Sequence, residues 1–102
     1  AGQIDDAIAI LEKGLQINPF FPQVHFNLSS AYKKVGRNRE SLESLEKAVD
    51  LEPRFVAARI NLGIAYADRN KIGMAIEQFT EVLKHDPGNT RATSALSQLG
   101  NQ

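Results

Sequence analysis

Asn27 and Asn61 are the residues of this chain whose type and placement suggest chemistry. Each comes directly before a leucine and five residues before a tyrosine, in "FNLSSAY" (26–32) and "INLGIAY" (60–66). A primary amide carries both a donor and an acceptor, so it can pair with the N–H and C=O groups of an extended peptide whatever that peptide's sequence. Other chemistry-bearing side chains are sparse. His25 and His85 have no serine, carboxylate or second histidine at the spacing of a catalytic triad or a metal site. His25 reads as a packing residue, and His85 as a helix-end residue near carbonyls that favour a cation. "KVGRNR" and "DPGNT" hold glycine without the glycine–lysine pattern of a phosphate loop, and both read as turns. Glu40, Glu43, Glu46 and Lys47 read as a solvated helix face, with i, i+4 pairs worth about 0.2–0.5 kcal/mol each. No catalytic residue, cofactor or metal is expected, and the chain is not read as an enzyme.

Composition narrows the classes further. The 102 residues suffice for one domain with a modest core. Twelve basic and twelve acidic residues cancel, without a run of one sign, which disfavours a nucleic-acid partner. Without cysteine there is no disulfide framework, thiol nucleophile or cysteine-based zinc site. The longest apolar run, "AIAIL" at 7–11, is too short to span a bilayer. The opening "AGQIDD" has neither a basic region, a cleavage signature nor an initiating methionine. The expectation is a soluble segment, cytoplasmic by default, cut from a longer protein or processed before residue 1.

The elements that must position the two asparagines follow from an internal repeat. Pro19, Pro53 and Pro87 are evenly spaced by thirty-four residues, and the same step relates Gly2, Gly36 and Asn70. It also relates Ala7, Ser41 and Ala75; Leu11, Leu45 and Phe79; Leu28, Leu62 and Leu96; and Tyr32 and Tyr66. Val24, Leu28, Ala31, Tyr32 and Val35 have helical periodicity, as do Leu42, Leu45, Ala48, Val49 and Leu51, and no alternating stretch argues for a strand. Gly2, Gly36 and Asn70 are expected in the left-handed conformation that ends a helix, marking the turn inside each unit. The prolines stop the second helix and mark the turn between units. The unit is therefore an antiparallel helix pair whose apolar stripes are buried by stacking on neighbours.

These positions resemble the tetratricopeptide repeat, whose signature is an aromatic-x-x-Leu-Gly-x-x-Tyr helix, then Ala-x-x-x-Phe and a closing proline. Residues 22–55 supply His25, Leu28, Ser29, Tyr32, Ser41, Leu45 and Pro53; residues 56–89 supply Arg59, Leu62, Gly63, Tyr66, Ala75, Phe79 and Pro87. The chain departs from the pattern at His25 and Arg59, which replace the aromatic, and at Ser29, which replaces the glycine. The second small position reads Gly14, Ala48 and Val82. The resemblance implies an all-α, right-handed superhelical α-solenoid in one domain. Residues 1–21 would be the second helix of a truncated repeat, and 90–102 the first helix of a further repeat or a cap, with Ala92, Ala95, Leu96 and Leu99 on one side. Ile4, Ile8 and Leu11 would then lack a covering helix, which makes them a candidate edge for pairing with another copy.

In this family the first helix of each repeat lines a concave groove. Helical spacing places Gln23, Phe26, Asn27, Ser30 and Lys34 there, then Ala57, Ile60, Asn61, Ile64 and Asp68, then Arg91, Ser94 and Gln98. Phe26, Ile60 and Ile64 would receive apolar side chains. The asparagines would hold peptide backbone, as a ladder does in some relatives, or link neighbouring helices; Ala95 ends any ladder before the last helix. Another variant of the family clamps a terminal carboxylate with lysine, asparagine and arginine. This chain keeps only the asparagines, with Phe26 and Ser30, or Ala57 and Asn61, at the clamp positions, so a chaperone-tail clamp is not expected. The resemblance implies a protein-interaction scaffold that takes a peptide or partner segment in its groove, with no direct membrane insertion. Its alternatives are self-assembly through the N-terminal helix and the substrate-presenting arm of a larger enzyme.

Overall fold

The structure is a computed structural model that describes residues 2–100. Those residues form six helices and no strand: α1 (Gly2–Ile17), α2 (Pro22–Lys34), α3 (Asn38–Leu51), α4 (Val56–Asp68), α5 (Ile72–His85) and α6 (Thr90–Gly100). They divide into two compact units, one ending at Pro53 and the other beginning at Arg54. In the first, α2 packs against α1 and α3; in the second, α5 packs against α4 and α6.

The punctuation of the chain explains where the helices stop. Gly36 and Asn70 have φ of 81° and 61°, in the left-handed region. At the first turn the Gly36 N–H donates to the Lys33 carbonyl (3.1 Å) and the Arg37 N–H to the Tyr32 carbonyl (2.8 Å). The second repeats this pairing, from Asn70 to Ala67 (2.9 Å) and from Lys71 to Tyr66 (2.8 Å). Both are Schellman closures, which satisfy the last carbonyls of a helix and need a residue that tolerates positive φ. Gly2 does not lie in a turn before a helix as Gly36 does, because it is already the first residue of α1. Pro19, Pro53 and Pro87 each lie two residues past the end of α1, α3 and α5. Pro22 opens α2, where a missing N–H costs nothing. The Asn89 side chain accepts the Ala92 N–H (2.9 Å) and so caps α6.

Ile8, Leu28 and Tyr32 form the core between α1 and α2, with Ile4, Leu11, Leu15, Ala31 and Val35 packed against it. This corrects the expectation that Ile4, Ile8 and Leu11 form an uncovered edge. Ile8 is only 3% exposed, since the i, i+4, i+7 stripe is the one that α1 turns toward α2. Ile8 could reach another copy only if α2 unpacked, while Ile4 and Leu11 are half-buried against the same core. The apolar side chains that α1 leaves in solvent are Ile10 (71% exposed) and Ile17 (81%).

In the second unit α4 and α5 approach so closely that a Cβ added at Gly63 would lie 2.6 to 2.9 Å from three carbons of the Phe79 ring. The equivalent places in the first unit hold Ser29 and Leu45, a larger residue matched by a smaller one. There the Ser29 carbonyl accepts the Ser41 hydroxyl across the helix pair (2.8 Å), and the Ser29 hydroxyl donates to the Phe26 carbonyl (2.6 Å). Gly63→Ala should therefore cost about 1–3 kcal/mol by overpacking, more than the roughly 1 kcal/mol gained in helix propensity. In a Phe79→Leu background the same substitution should be neutral or stabilising. Urea denaturation of the four variants of this cycle checks it, and an equal cost in both backgrounds would refute the steric account.

Candidate partner-binding surface

On α2, Gln23, Asn27, Ser30 and Lys34 are exposed along one stripe and Phe26 is half-buried. The Gln23 amide donates to the Asn27 side-chain oxygen across one helical turn (3.0 Å). Asn27 thus has a partner on its own helix, and its amide N–H groups face outward with the exposed side chain. On α4, Ala57 and Asp68 are exposed, while Asn61 and Ile64 are half-buried. Ile60 departs from its expected role of receiving an apolar ligand side chain. It is 2% exposed, because it lies one turn before the buried Gly63 and shares that residue's inward direction. On α6, Arg91, Ser94 and Gln98 are exposed. The candidate residues therefore sit on three helices, one in the first unit and two in the second, with Ile60 withdrawn into the core.

A second polar group lies on another side of α2 and was not apparent from the repeat signature. The Tyr32 hydroxyl donates to the Glu12 carboxylate of α1, and the Arg37 guanidinium stands 4.6 Å over the centre of the Tyr32 ring. Arg37 Nε also donates to Glu40 Oε1 (3.0 Å). The Tyr32 hydroxyl is pushed up to about 12 from its usual value of 10, first by burial and then by the hydrogen bond and negative charge of Glu12. Arg37 holds the Glu40 carboxyl below the usual carboxylate range, and Lys84 does the same for Glu81 at 2.8 Å. A sequence signal for the Tyr32 pairing did exist: the spacing from Glu12 to Tyr32 recurs from Glu46 to Tyr66.

His25 is buried, and its Nε2 lies 2.9 Å from the Pro19 carbonyl. A carbonyl can only accept, so Nε2–H is the donor. The histidine thereby ties α2 to the turn before it, in the place of the repeat's aromatic residue. His85 ends α5, with Glu81 Oε2 3.9 Å away. Among the described residues, no three metal-ligating side chains gather into a group. None of the described helices is long and apolar enough to cross a membrane.

Antiparallel helix pairs closed by left-handed turns and repeated every thirty-four residues define a class of helical-repeat interaction domains. The tetratricopeptide-repeat family model matches residues 26–90, and the chain belongs to that family, whose domains act as protein–protein interaction modules. Nothing among curated protein sequences matches it. Among solved structures it is similar to the first tetratricopeptide domain of Spaghetti (RPAP3) bound to the HSP90 peptide SRMEEVD. That match has 27% identity and a TM-score of 0.87, and covers 98% of this chain and 79% of the other. The second such domain of human RPAP3, in complex with the HSP70 peptide SGPTIEEVD, is 25% identical with a TM-score of 0.86, over 99% of this chain and 84% of the other. A tetratricopeptide repeat protein from Parabacteroides merdae shares the fold at 18% identity and a TM-score of 0.91, over 96% of this chain and 38% of its own.

The Tyr32 arrangement has a pH signature. Because the folded chain raises the phenol's pKa, the stability linked to its neutral form is fully present below pH 10 and is lost as pH rises to about 12. A carbon-13 NMR titration of ring-labelled tyrosine should show Tyr32 ionising near the upper value. Glu12→Gln should bring that value down without returning it to 10, because burial remains. A Tyr32 that titrates normally in the parent chain would contradict this account.

Proposed function

We propose that each unit binds an extended segment of a partner polypeptide along the face of its first repeat helix, α2 in the first unit and α4 in the second. In this reading Asn27 on α2 and Asn61 on α4 each pair, by donor and acceptor, with the backbone of the segment lying on its own helix. The observation that carries it is the state of the two amides. Asn27 is exposed with its donor side uncommitted, and the Asn61 side chain makes no hydrogen bond among the described residues. A helix stabilised only from within would gain little from an asparagine at this register, since asparagine is a mediocre helix former. Phe26 and Ile64, each half-buried one turn or less from the amide on its own helix, offer apolar contact, with the uncharged Gln23 and Ser30 on α2 and Ala57 on α4 nearby along the helix.

Charge bears on which segments fit. The RPAP3 domains are complexed with peptides rich in carboxylates. The faces described here carry Lys34, Asp68 and Arg91 among the candidate residues, with no basic cluster to match several carboxylates. The preferred segment is therefore one of low charge, recognised mainly through its backbone.

A peptide selected against the chain from a random library, with affinity measured by calorimetry, provides the test. Asn27→Ala with Asn61→Ala should weaken binding about 10- to 30-fold, the effect of losing roughly two net hydrogen bonds, with the thermal midpoint unchanged. The peptide SRMEEVD should bind more weakly than the selected one. Unchanged affinity in the double variant would remove the asparagines from the interface.

A further inference from the structure

The first unit has an open recess of about 350 Å³ bounded by α1, α2 and α3. It is lined by Glu12 of α1, His25 and Tyr32 of α2, and Glu43, Ser44 and Lys47 of α3, on a different side of α2 from Asn27. Leu15 and Leu28 add apolar lining. Ser44 is the informative residue. It is 8% exposed, yet its hydroxyl has no hydrogen-bond partner among the described residues. Among the described residues no side-chain nitrogen or oxygen sealed from solvent is left unpaired, so this hydroxyl opens onto the recess that the residue lines. On an otherwise buried residue, a hydroxyl that meets only solvent is free to pair with a ligand entering the recess. His25 is similar: Nε2 is committed to Pro19, and in the neutral ring Nδ1 keeps a lone pair.

The charges have a definite balance. Glu40 also lines the recess and is matched by Arg37. Tyr32 is a neutral donor, so its bond to Glu12 leaves that carboxylate's charge in place. Glu12, Glu40 and Glu43 are thus set against Lys47 and the neighbouring Arg37, which leaves the recess with one net negative charge and an excess of acceptors over donors. A ligand suited to it carries positive charge, several N–H donors and a short apolar stem. We propose that this recess seats a protonated lysine or arginine side chain of a partner polypeptide. Glu43 and Glu12 supply the charge, Ser44 accepts a hydrogen bond, and Leu15 and Leu28 line the stem. This site is separate from the first-helix faces, and its partner residue need not belong to the segment bound there.

The test is a two-dimensional NMR titration of the nitrogen-15-labelled chain with N-acetyl-lysine amide and, separately, N-acetyl-arginine amide. N-acetyl-norleucine amide is the uncharged control. At least one cationic probe should give saturable shifts at the amides of Glu12, Tyr32 and Ser44, and comparison of the two identifies which side chain fits. Binding should weaken about threefold in Glu43→Gln and about tenfold in Ser44→Ala, and tighten about threefold in Lys47→Met. Thermal melts establish that each variant folds. The proposal is overturned if neither cation saturates, if norleucine amide gives the same shifts, or if Glu43→Gln or Ser44→Ala binds like the parent.

Discussion

Neither helix of a pair can bury its apolar stripe alone, and everything else in the molecule depends on how near the second helix can come to the first. In the second unit that distance is set by Gly63, whose missing side chain is occupied by the ring of Phe79. The first unit reaches closure differently, with Ser29 and Leu45 at the same places and a hydroxyl of Ser41 bonded to the Ser29 carbonyl. Interiors pack at crystal-like density, so both solutions must fill the gap and neither can overfill it. The left-handed turns at Gly36 and Asn70 then only have to reverse the chain.

Once the pairs are closed, the side chains that are not needed for closure become available for recognition. On α2 the helix separates these tasks by direction. Leu28 and Tyr32 point into the core, Gln23, Asn27, Ser30 and Lys34 point to solvent, and His25 reaches back to the Pro19 carbonyl. Tyr32 has a double character, since its ring is core and its hydroxyl holds a carboxylate of α1. That bond fixes α1 relative to α2 by a polar interaction in addition to apolar contact, and it retains a negative charge beside a largely apolar floor.

Much of this order was legible in the chain before any coordinates. The thirty-four-residue step located the ends of α1 to α5 closely, because prolines, a glycine and an asparagine mark ends by backbone geometry that is local, whereas Gly2 at the same step lies inside α1. Periodicity gave each helix its apolar stripe for the same reason. What it could not give was the identity of the neighbour on each side. Ile4, Ile8 and Leu11 were recognisable as a stripe, but only packing shows that α2 covers them and that Ile10 and Ile17 are the exposed ones. Ile60 illustrates the limit on α4, where an apolar residue at the boundary between two faces is assigned by packing and not by spacing. The acidic face of α3 read as ordinary solvated charge, and the recess beside it depends on α1 and α2, which are distant in sequence from Glu43 and Ser44.

The matched pairs Gly63 with Phe79 and Ser29 with Leu45 also define what can be inherited separately. An α2 joined to α5 would set a serine against a phenylalanine ring that already excludes a single added carbon at the equivalent place. The reverse graft, α4 with α3, would leave a gap where glycine meets leucine. The indivisible unit of exchange in this chain is therefore the helix hairpin. Duplication, recombination or deliberate shuffling can move α2 with α3, or α4 with α5, as a block, whereas crossovers inside a hairpin break a size agreement that no surface residue can restore.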